Sequence, residues 1–344
     1  MSSAEGYLDH LPFPILIGDI GGTNARFALV NGPDEPIERL PYAHTAAFAN
    51  IDDAIEQTVV RGAGARPKSA ILALAGPIAG ESVPLTNSDW VVKPNQLIKR
   101  FGFAEVVLLN DFEAQALALP DLTAQDLDPI GNGTSRPDAV RVVLGPGTGL
   151  GVGALVRARD TWVPVPGEGP HIDLGPVTDR DMAIWPHIER VLGRVSAEAV
   201  LSGSGMLRLY RAICRTDGAL PRQASPEAVT AAGLAGTDPQ ATETLTLFAT
   251  YLGRVAGDLA LIFMAYGGIF LGGGIAGKIA PVLKAGAFRQ AFTAKAPHTA
   301  LLERMATAII IKDDAALGGI AAFARAPGRF SVDLQGRRWR APAG

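Results

Sequence analysis

The stretch ILIGDIGGTNARFALV at residues 15–30 decides the fold, because RVVLGPGTGLGVGALV at 141–156 is built to the same plan. Each is a short apolar run, a glycine-rich turn and a second apolar run, the pattern of two strands joined by a tight turn. Two further pairs keep the order. LALAGPIAG at 72–80 shares the spacing Leu-x-Gly-x-Ile-Ala-Gly with FLGGGIAG at 270–277, and VVLLND at 106–111 resembles IIIKDD at 309–314. Three matches in one order, with a longer second copy, predict a duplicated α/β unit carrying an insertion in its second half.

Helical signals fall between these strands. Asn50 is placed to cap a helix over 51–61, Pro94 to open one through Leu97 and Ile98, and Ser196 to cap one through Val200. Asp238-Pro239 starts a long helix to about Tyr266, with Leu245, Phe248, Leu252, Val255, Leu259 and Ile262 at three- and four-residue steps. Gly253 and Gly257 share one of its faces and allow another element close, at some helix cost. Strands in twos and threes followed by helices predict an α/β protein of two similar lobes around a cleft. GNGTSRPD at 131–138 reads as a linker and the arginine-bearing tail at 327–344 as loosely held.

Composition narrows the partners. The chain has 344 residues, 48% apolar and 19% charged, with 40 Gly and 25 Pro, which is core-forming and loop-rich rather than disordered or fibrous. A net charge of -3 provides no basic field for a nucleic acid or an anionic membrane, so a bound anion must be held locally. The single cysteine, Cys214, excludes a disulfide framework and Cys-based zinc sites and fits a reducing compartment. Residues 1–10 carry Glu5 and Asp9 and no apolar run, unlike a signal peptide, and the longest apolar stretch, 259–270, is broken by Gly267 and Gly268. These features predict a cytoplasmic protein with no membrane or nucleic-acid partner.

The glycines mark the candidate chemistry. In Gly18-Asp19-Ile20-Gly21-Gly22-Thr23-Asn24 the glycines let backbone N–H groups approach an anion, Thr23 and Asn24 add donors, and Asp19 can hold a metal that balances phosphate charge. An ordinary hairpin turn has the same composition. Gly145-Pro146-Gly147-Thr148-Gly149 offers that chemistry a second time, and two such hairpins make a phosphate clamp. No G-x-x-x-x-G-K-[ST] occurs; a G-x-G-x-x-G occurs at Gly272, Gly274 and Gly277, but without the acidic residue a dinucleotide site wants, so an adenine-packing turn before a helix from Lys278 suits it better. Asn110-Asp111 ends an apolar strand, where Asp111 either takes a hydroxyl proton or caps the next helix. Pro166-Gly167-Glu168-Gly169-Pro170-His171 reads as a sugar-hydroxyl loop or a plain surface turn. Glu198 sits where a helix dipole alone favours an acid, and Cys214 in LRLYRAIC reads as core.

Taken together, GDIGGTNARFAL at 18–29, LAGPIAG at 74–80, LTNSDW at 85–90, LLNDFEAQALALP at 108–120, GPGTGLGVGALV at 145–156, PGEGPHIDLGP at 166–176, VSAEAVLSGSGMLRLYRAI at 195–213 and GIFLGGGI at 268–275 resemble the proteobacterial-type glucokinases of the hexokinase, actin and Hsp70 superfamily. The resemblance runs in order across residues 13–325. It implies a duplicated actin-like ATPase (ribonuclease H-like) fold and ATP-dependent phosphorylation of D-glucose at the 6-hydroxyl, with ATP and Mg²⁺ as cofactors and a homodimer as the assembly. It places the ATP phosphates on Gly18, Asp19, Ile20, Gly21, Gly22 and Thr23 and on Gly145, Gly147, Thr148 and Gly149, and the adenosine on Gly272, Gly273 and Gly274; beside it the residues themselves add Asn24 as a donor to the first loop and Asp19 as the metal candidate, directly or through water. Asp111 matches the catalytic aspartate, and Asn110, Asp111, Glu168, His171 and Glu198 match the sugar ligands. Pro170 stands where the family often has glycine, and the lone Cys214 sets the chain apart from the related ROK group with its Cys-rich zinc motif.

The expected division is a small lobe of residues 13–122 plus 312–327, a large lobe of 123–311 with the helical insertion, and a tail of 328–344. Two other activities stay open on sequence: a kinase for a different hexose, and a non-catalytic sugar-sensing regulator of the same fold. Against the regulator stands Asp111, and the twelve residues before Phe13 leave no room for a helix-turn-helix.

Overall fold

The computed structural model describes residues 10–86 and 88–342. The signal-peptide reading of residues 1–10, all but His10, together with Asn87 of LTNSDW and the last two tail residues, falls outside them. In chain order the first half runs β1 (Ile15–Ile20), β2 (Asn24–Val30), β3 (Glu38–Arg39), β4 (Ala43–His44), α1 (Ile51–Ile55), β5 (Ser69–Leu74), β6 (Val83–Pro84), β7 (Val91–Val92), α2 (Pro94–Phe101), β8 (Glu105–Asn110) and α3 (Asp111–Ala118). The second runs β9 (Leu127–Pro129), β10 (Arg141–Pro146), β11 (Leu150–Ala158), β12 (Thr161–Gly167), α4 (Asp179–Ile184), α5 (Ala197–Val200), α6 (Gly203–Thr216), α7 (Pro226–Ala235) and α8 (Pro239–Phe263). Then come β13 (Gly268–Leu271), α9 (Gly273–Lys278), α10 (Ala280–Lys284), α11 (Ala287–Thr293), α12 (Thr299–Glu303), β14 (Thr307–Ile310), α13 (Ala315–Arg325) and β15 (Arg338–Arg340).

The duplication is visible in strand order. One sheet reads β15-β8-β5-β1-β2-β3, with β4 also on β2; the other reads β12-β11-β10-β13-β14-β9. In each, three parallel strands (β1, β5, β8; β10, β13, β14) form the centre, and an antiparallel strand closes the far edge, β15 on β8 and β9 on β14. Every residue of β5 and β13 is buried, which is why these strands are continuous apolar runs rather than alternating ones. Neither edge strand was anticipated from sequence.

By contacts the chain forms two units: residues 1–122, 155–166 and 313–344, and residues 123–154 and 167–312. The first has its core between the sheet and α1 and α2, where Leu16, Phe27, Leu72, Leu97, Phe103 and Leu108 are buried. The second is centred on α8, where Gly253 and Gly257 let the helix meet α11 so closely that Cβ atoms there would fall 2.2 and 2.6 Å from the Phe288 and Phe292 carbonyl oxygens. α8 is apolar and long enough to cross a bilayer by length and composition, yet 61% of its apolar window is buried inside the protein.

Three local expectations are corrected. Residues 131–138 do not link domains: Ser135 Oγ donates to Gly267 O at 2.7 Å, Arg136 N–H to Tyr266 O at 2.9 Å, and Thr134 bridges Met305, so the polar stretch is held inside the second unit. The tail is not loose: Arg337 meets the buried Glu113 at 2.6 Å, Arg338 meets the part-buried Glu105 at 2.8 Å, and Trp339 packs on the first unit's core. The helix expected from Lys278 ends there, having started at Gly273.

Candidate functional site

In the first unit the chemistry gathers at the carboxyl ends of the parallel strands. β1 and β2 pair so that Asp19 stands opposite Arg26, and Gly21 N–H bonds Asn24 O at 2.9 Å to close the tight turn. The turn's outward carbonyls and side chain are already occupied. Thr45 takes Gly22 O through its hydroxyl (2.7 Å) and Thr23 O through its N–H (3.0 Å), and His44 Nδ1 lies 2.8 Å from Asn24 Oδ1. Bracing the carbonyls from one side fixes the loop's peptide planes, which is what a phosphate-binding hairpin needs.

Asp19 is tied to Arg26 at 3.1 Å, and Arg26 to Asp314 at 3.3 Å. Burial holds the Asp19 carboxyl above its usual range; Arg26 pulls it down by less, and Asp314 adds to the rise. Asp314 precedes α13 in a left-handed conformation (φ 53°), and its side chain makes no cap bond to the helix; the carboxylate instead meets Arg26, Arg39 and the Tyr42 hydroxyl. Among the described residues no group of three or more His, Cys, Asp or Glu side chains could hold a metal by itself. One carboxylate beside a candidate phosphate loop fits Mg²⁺ arriving on a nucleotide, since that ion keeps waters and phosphate oxygens and needs only one or two protein ligands.

Two strands away in the same register, β8 ends at Asn110: Asp19 pairs with Ala73 of β5 and Ala73 with Leu109. That sets Asp111 on the same edge as the hairpin, a lateral offset on the order of 10 Å. Asn110, not Asp111, caps α3. Its side chain accepts Phe112 N–H at 2.9 Å and Glu113 N–H at 3.2 Å, Glu113 returns a bond to Asn110 N–H, and Asn110 Nδ2 donates to Gly76 O at 3.3 Å. The capping role weighed for Asp111 therefore belongs to its neighbour, and Asp111 is the first helical residue, its carboxylate accepting Phe112 N–H at 3.0 Å.

The second unit repeats the arrangement with glycine. β10 and β13 are adjacent and parallel, so their loops meet: Gly272 N–H bonds Leu144 O at 2.9 Å, and Gly273 (φ +77°) lies where a Cβ would come within 2.5 Å of Pro146 O. Gly147 N–H bonds Gly149 O at 2.7 Å across the tip of the second hairpin. Glu198 reaches this hairpin: its carboxylate accepts Leu150 N–H at 2.9 Å. Glu168 and His171 stand 3.5 Å apart, with side chains 65% and 54% exposed, and Arg194 holds the loop by donating to His171 O at 3.0 Å.

The first unit thus brings together Gly18 to Asn24, Asn110 and Asp111, and the second brings together Gly145 to Gly149, Gly272 to Gly274 and Glu198. Sequence reasoning passed over Arg26, His44, Thr45 and Arg194, and it read Asp314 only as the repeat of Asp111. Of these only Arg26 carried a signal, because a tight turn between Gly21 and Asn24 puts residue 26 opposite residue 19.

A family model described as glucokinase matches residues 16–327. The chain is 54% identical to a glucokinase of Sinorhizobium fredii, over 96% of this chain and 98% of that one. It is 55% identical to a glucokinase of Brucella suis, over 95% and 96% respectively. Among solved structures, the crystal structure of glucokinase from an Antarctic psychrotroph superposes with a TM-score of 0.79 at 33% identity, covering 90% of this chain and 98% of the other.

Proposed function

The chain belongs to the glucokinase family, with the actin-like ATPase fold, and from that premise we propose that it transfers the γ-phosphoryl group of ATP to the 6-hydroxyl of D-glucose, releasing glucose 6-phosphate and ADP. One observation carries the reading: Asp111 sits at the carboxyl end of β8, in register with the Asp19 hairpin, with Asn110 closing the capping box of α3. In this reading the Asp111 carboxylate takes the proton of the 6-hydroxyl as its oxygen attacks, worth about 10²–10⁴ in rate. Glu168, His171 and Glu198 orient the sugar through its other hydroxyls, with Asn110 sharing its amide between the helix cap and the sugar.

The tips of the Gly18 to Asn24 and Gly145 to Gly149 hairpins cradle the phosphates through backbone N–H groups other than those of Gly21 and Gly147, which close the turns, and the Gly272 to Gly274 turn packs against the adenosine. Mg²⁺, held through Asp19 directly or by water, would neutralise charge that builds on the phosphate oxygens. The lone buried thiol of Cys214 supports a cytosolic enzyme, and the family resemblance supports a homodimer, which gel filtration tests.

A coupled assay with MgATP and a panel of hexoses decides the substrate. ADP formed with glucose is the expected result; ADP formed only with another sugar would keep the kinase and change its substrate, and none with any sugar would favour a sugar-sensing regulator. Asp111→Asn should lower kcat by about a hundredfold or more with the fold unchanged by circular dichroism. Near-normal turnover would remove Asp111 from the reaction.

A further inference from the structure

α5 is four residues long, and its bonds reach in two directions. Its start is stitched to the loop that follows Glu168 and His171: Ala197 N–H donates to Ile172 O at 2.9 Å, Leu174 N–H to Val195 O at 2.9 Å, and Asp173 bridges Ser196. Its Glu198 carboxylate reaches the other way, onto Leu150 N–H at 2.9 Å. Glu198 Oε2 also fills the space where a side chain at 149 would begin, since a Cβ on Gly149 would stand 2.5 Å from it. Just beyond α5, Gly203 N–H ties Gly147 O at 2.9 Å. The short helix is thus fastened to the candidate sugar loop by its backbone and to the candidate phosphate hairpin by one carboxylate.

We infer that Glu198 is a positioning residue for the nucleotide as well as a sugar ligand, so that sugar occupancy and the geometry of the Gly145–Gly149 hairpin are coupled through one carboxylate. A carboxylate accepts at both oxygens, so Oε2 can stay on Leu150 N–H while Oε1 takes a sugar hydroxyl. Sugar then fixes the group that holds the hairpin, and phosphate on the hairpin fixes the group that meets the sugar. Such coupling is reciprocal, and its usual size is about 5–150-fold in affinity. The inference rests on the proposed function, in which Glu198 faces glucose and the hairpin faces ATP.

Calorimetric titration of the whole protein with a non-hydrolysable ATP analogue and Mg²⁺, with and without saturating glucose, tests it. In the unmodified protein glucose should tighten the analogue about fivefold or more; less than about twofold would overturn the inference. Glu198→Ala should weaken glucose about tenfold or more and also abolish the tightening at glucose concentrations that still saturate, and Glu198→Gln, which keeps an acceptor, should restore part of both. If glucose weakens but the tightening survives, the coupling role fails and the sugar role stands; if glucose binding is unchanged, the sugar role fails first. Gly149→Ala supplies an independent arm. It has no side chain to offer a sugar, yet by displacing the Glu198 carboxylate it should weaken glucose binding, and unchanged glucose affinity would overturn the coupling.

Discussion

Asp19 shows what a carboxylate proposed to hold Mg²⁺ costs its fold. Desolvation outweighs the attraction of Arg26, so the folded protein favours the protonated acid more than the unfolded chain does. The stability associated with this group is therefore full below the unfolded pKa of about 4 and is lost as pH rises through the higher folded value. Asp19→Asn should melt at a higher temperature than the unmodified protein at pH 7.5, with the gap closing toward pH 4, while MgATP affinity falls. A melting temperature at or below that of the unmodified protein at pH 7.5 would mean that the Arg26 bond, not burial, dominates. Asp314 makes a related trade: it accepts a left-handed backbone, unfavourable for a non-glycine residue by about 1 kcal/mol, and gives up the cap in order to reach Arg26 and Arg39. The paired aspartates at 111 and 314 were legible as a repeat, but their separate duties were not, because each depends on which side chains arrive from distant strands.

At the scale of elements, the tail reaches the proposed catalytic helix. β15 covers the open edge of β8, and Arg337 neutralises Glu113, which is 1% exposed and closes the capping box around Asn110 at the start of α3. Burial raises the Glu113 carboxyl and Arg337 draws it back. Arg337→Ala should cost about 3–5 kcal/mol in denaturant unfolding, because it strands a buried acid, and a further Glu113→Gln should recover much of that loss. If the double variant were no more stable than the single one, the ion pair would not be the tail's main tie. Helix starts at Asn50, Ser196 and Asp238 were readable locally, since a cap satisfies N–H groups within three residues of itself, and the start at Pro94 because a proline's fixed φ suits the first turn. β9 and β15 were not, since a three-residue edge strand has no periodicity and exists only because a neighbouring strand offers unpaired groups.

For the molecule as a whole, a net charge of -3 and two backbone cradles imply an anion site that owes little to long-range fields. The kcat/KM for MgATP should change less than about threefold between 50 and 300 mM KCl; a tenfold loss would point to lysine or arginine on the phosphates instead. The amino-acid sequence by itself determined the duplicated α/β plan, the glycine loops that end its strands, and the acids beside them, because strand runs, turn glycines and caps are local physics repeated in one order. Only the tertiary structure decided that Asn110 rather than Asp111 caps α3, that Arg337 supports that cap, and that Glu198 grips Leu150 from 48 residues away. The Arg337 and Glu198 bonds join groups far apart in the chain, and Asn110 is itself turned by its bond to Gly76 O, 34 residues away; such partners are chosen by strand register and packing, which no local pattern encodes.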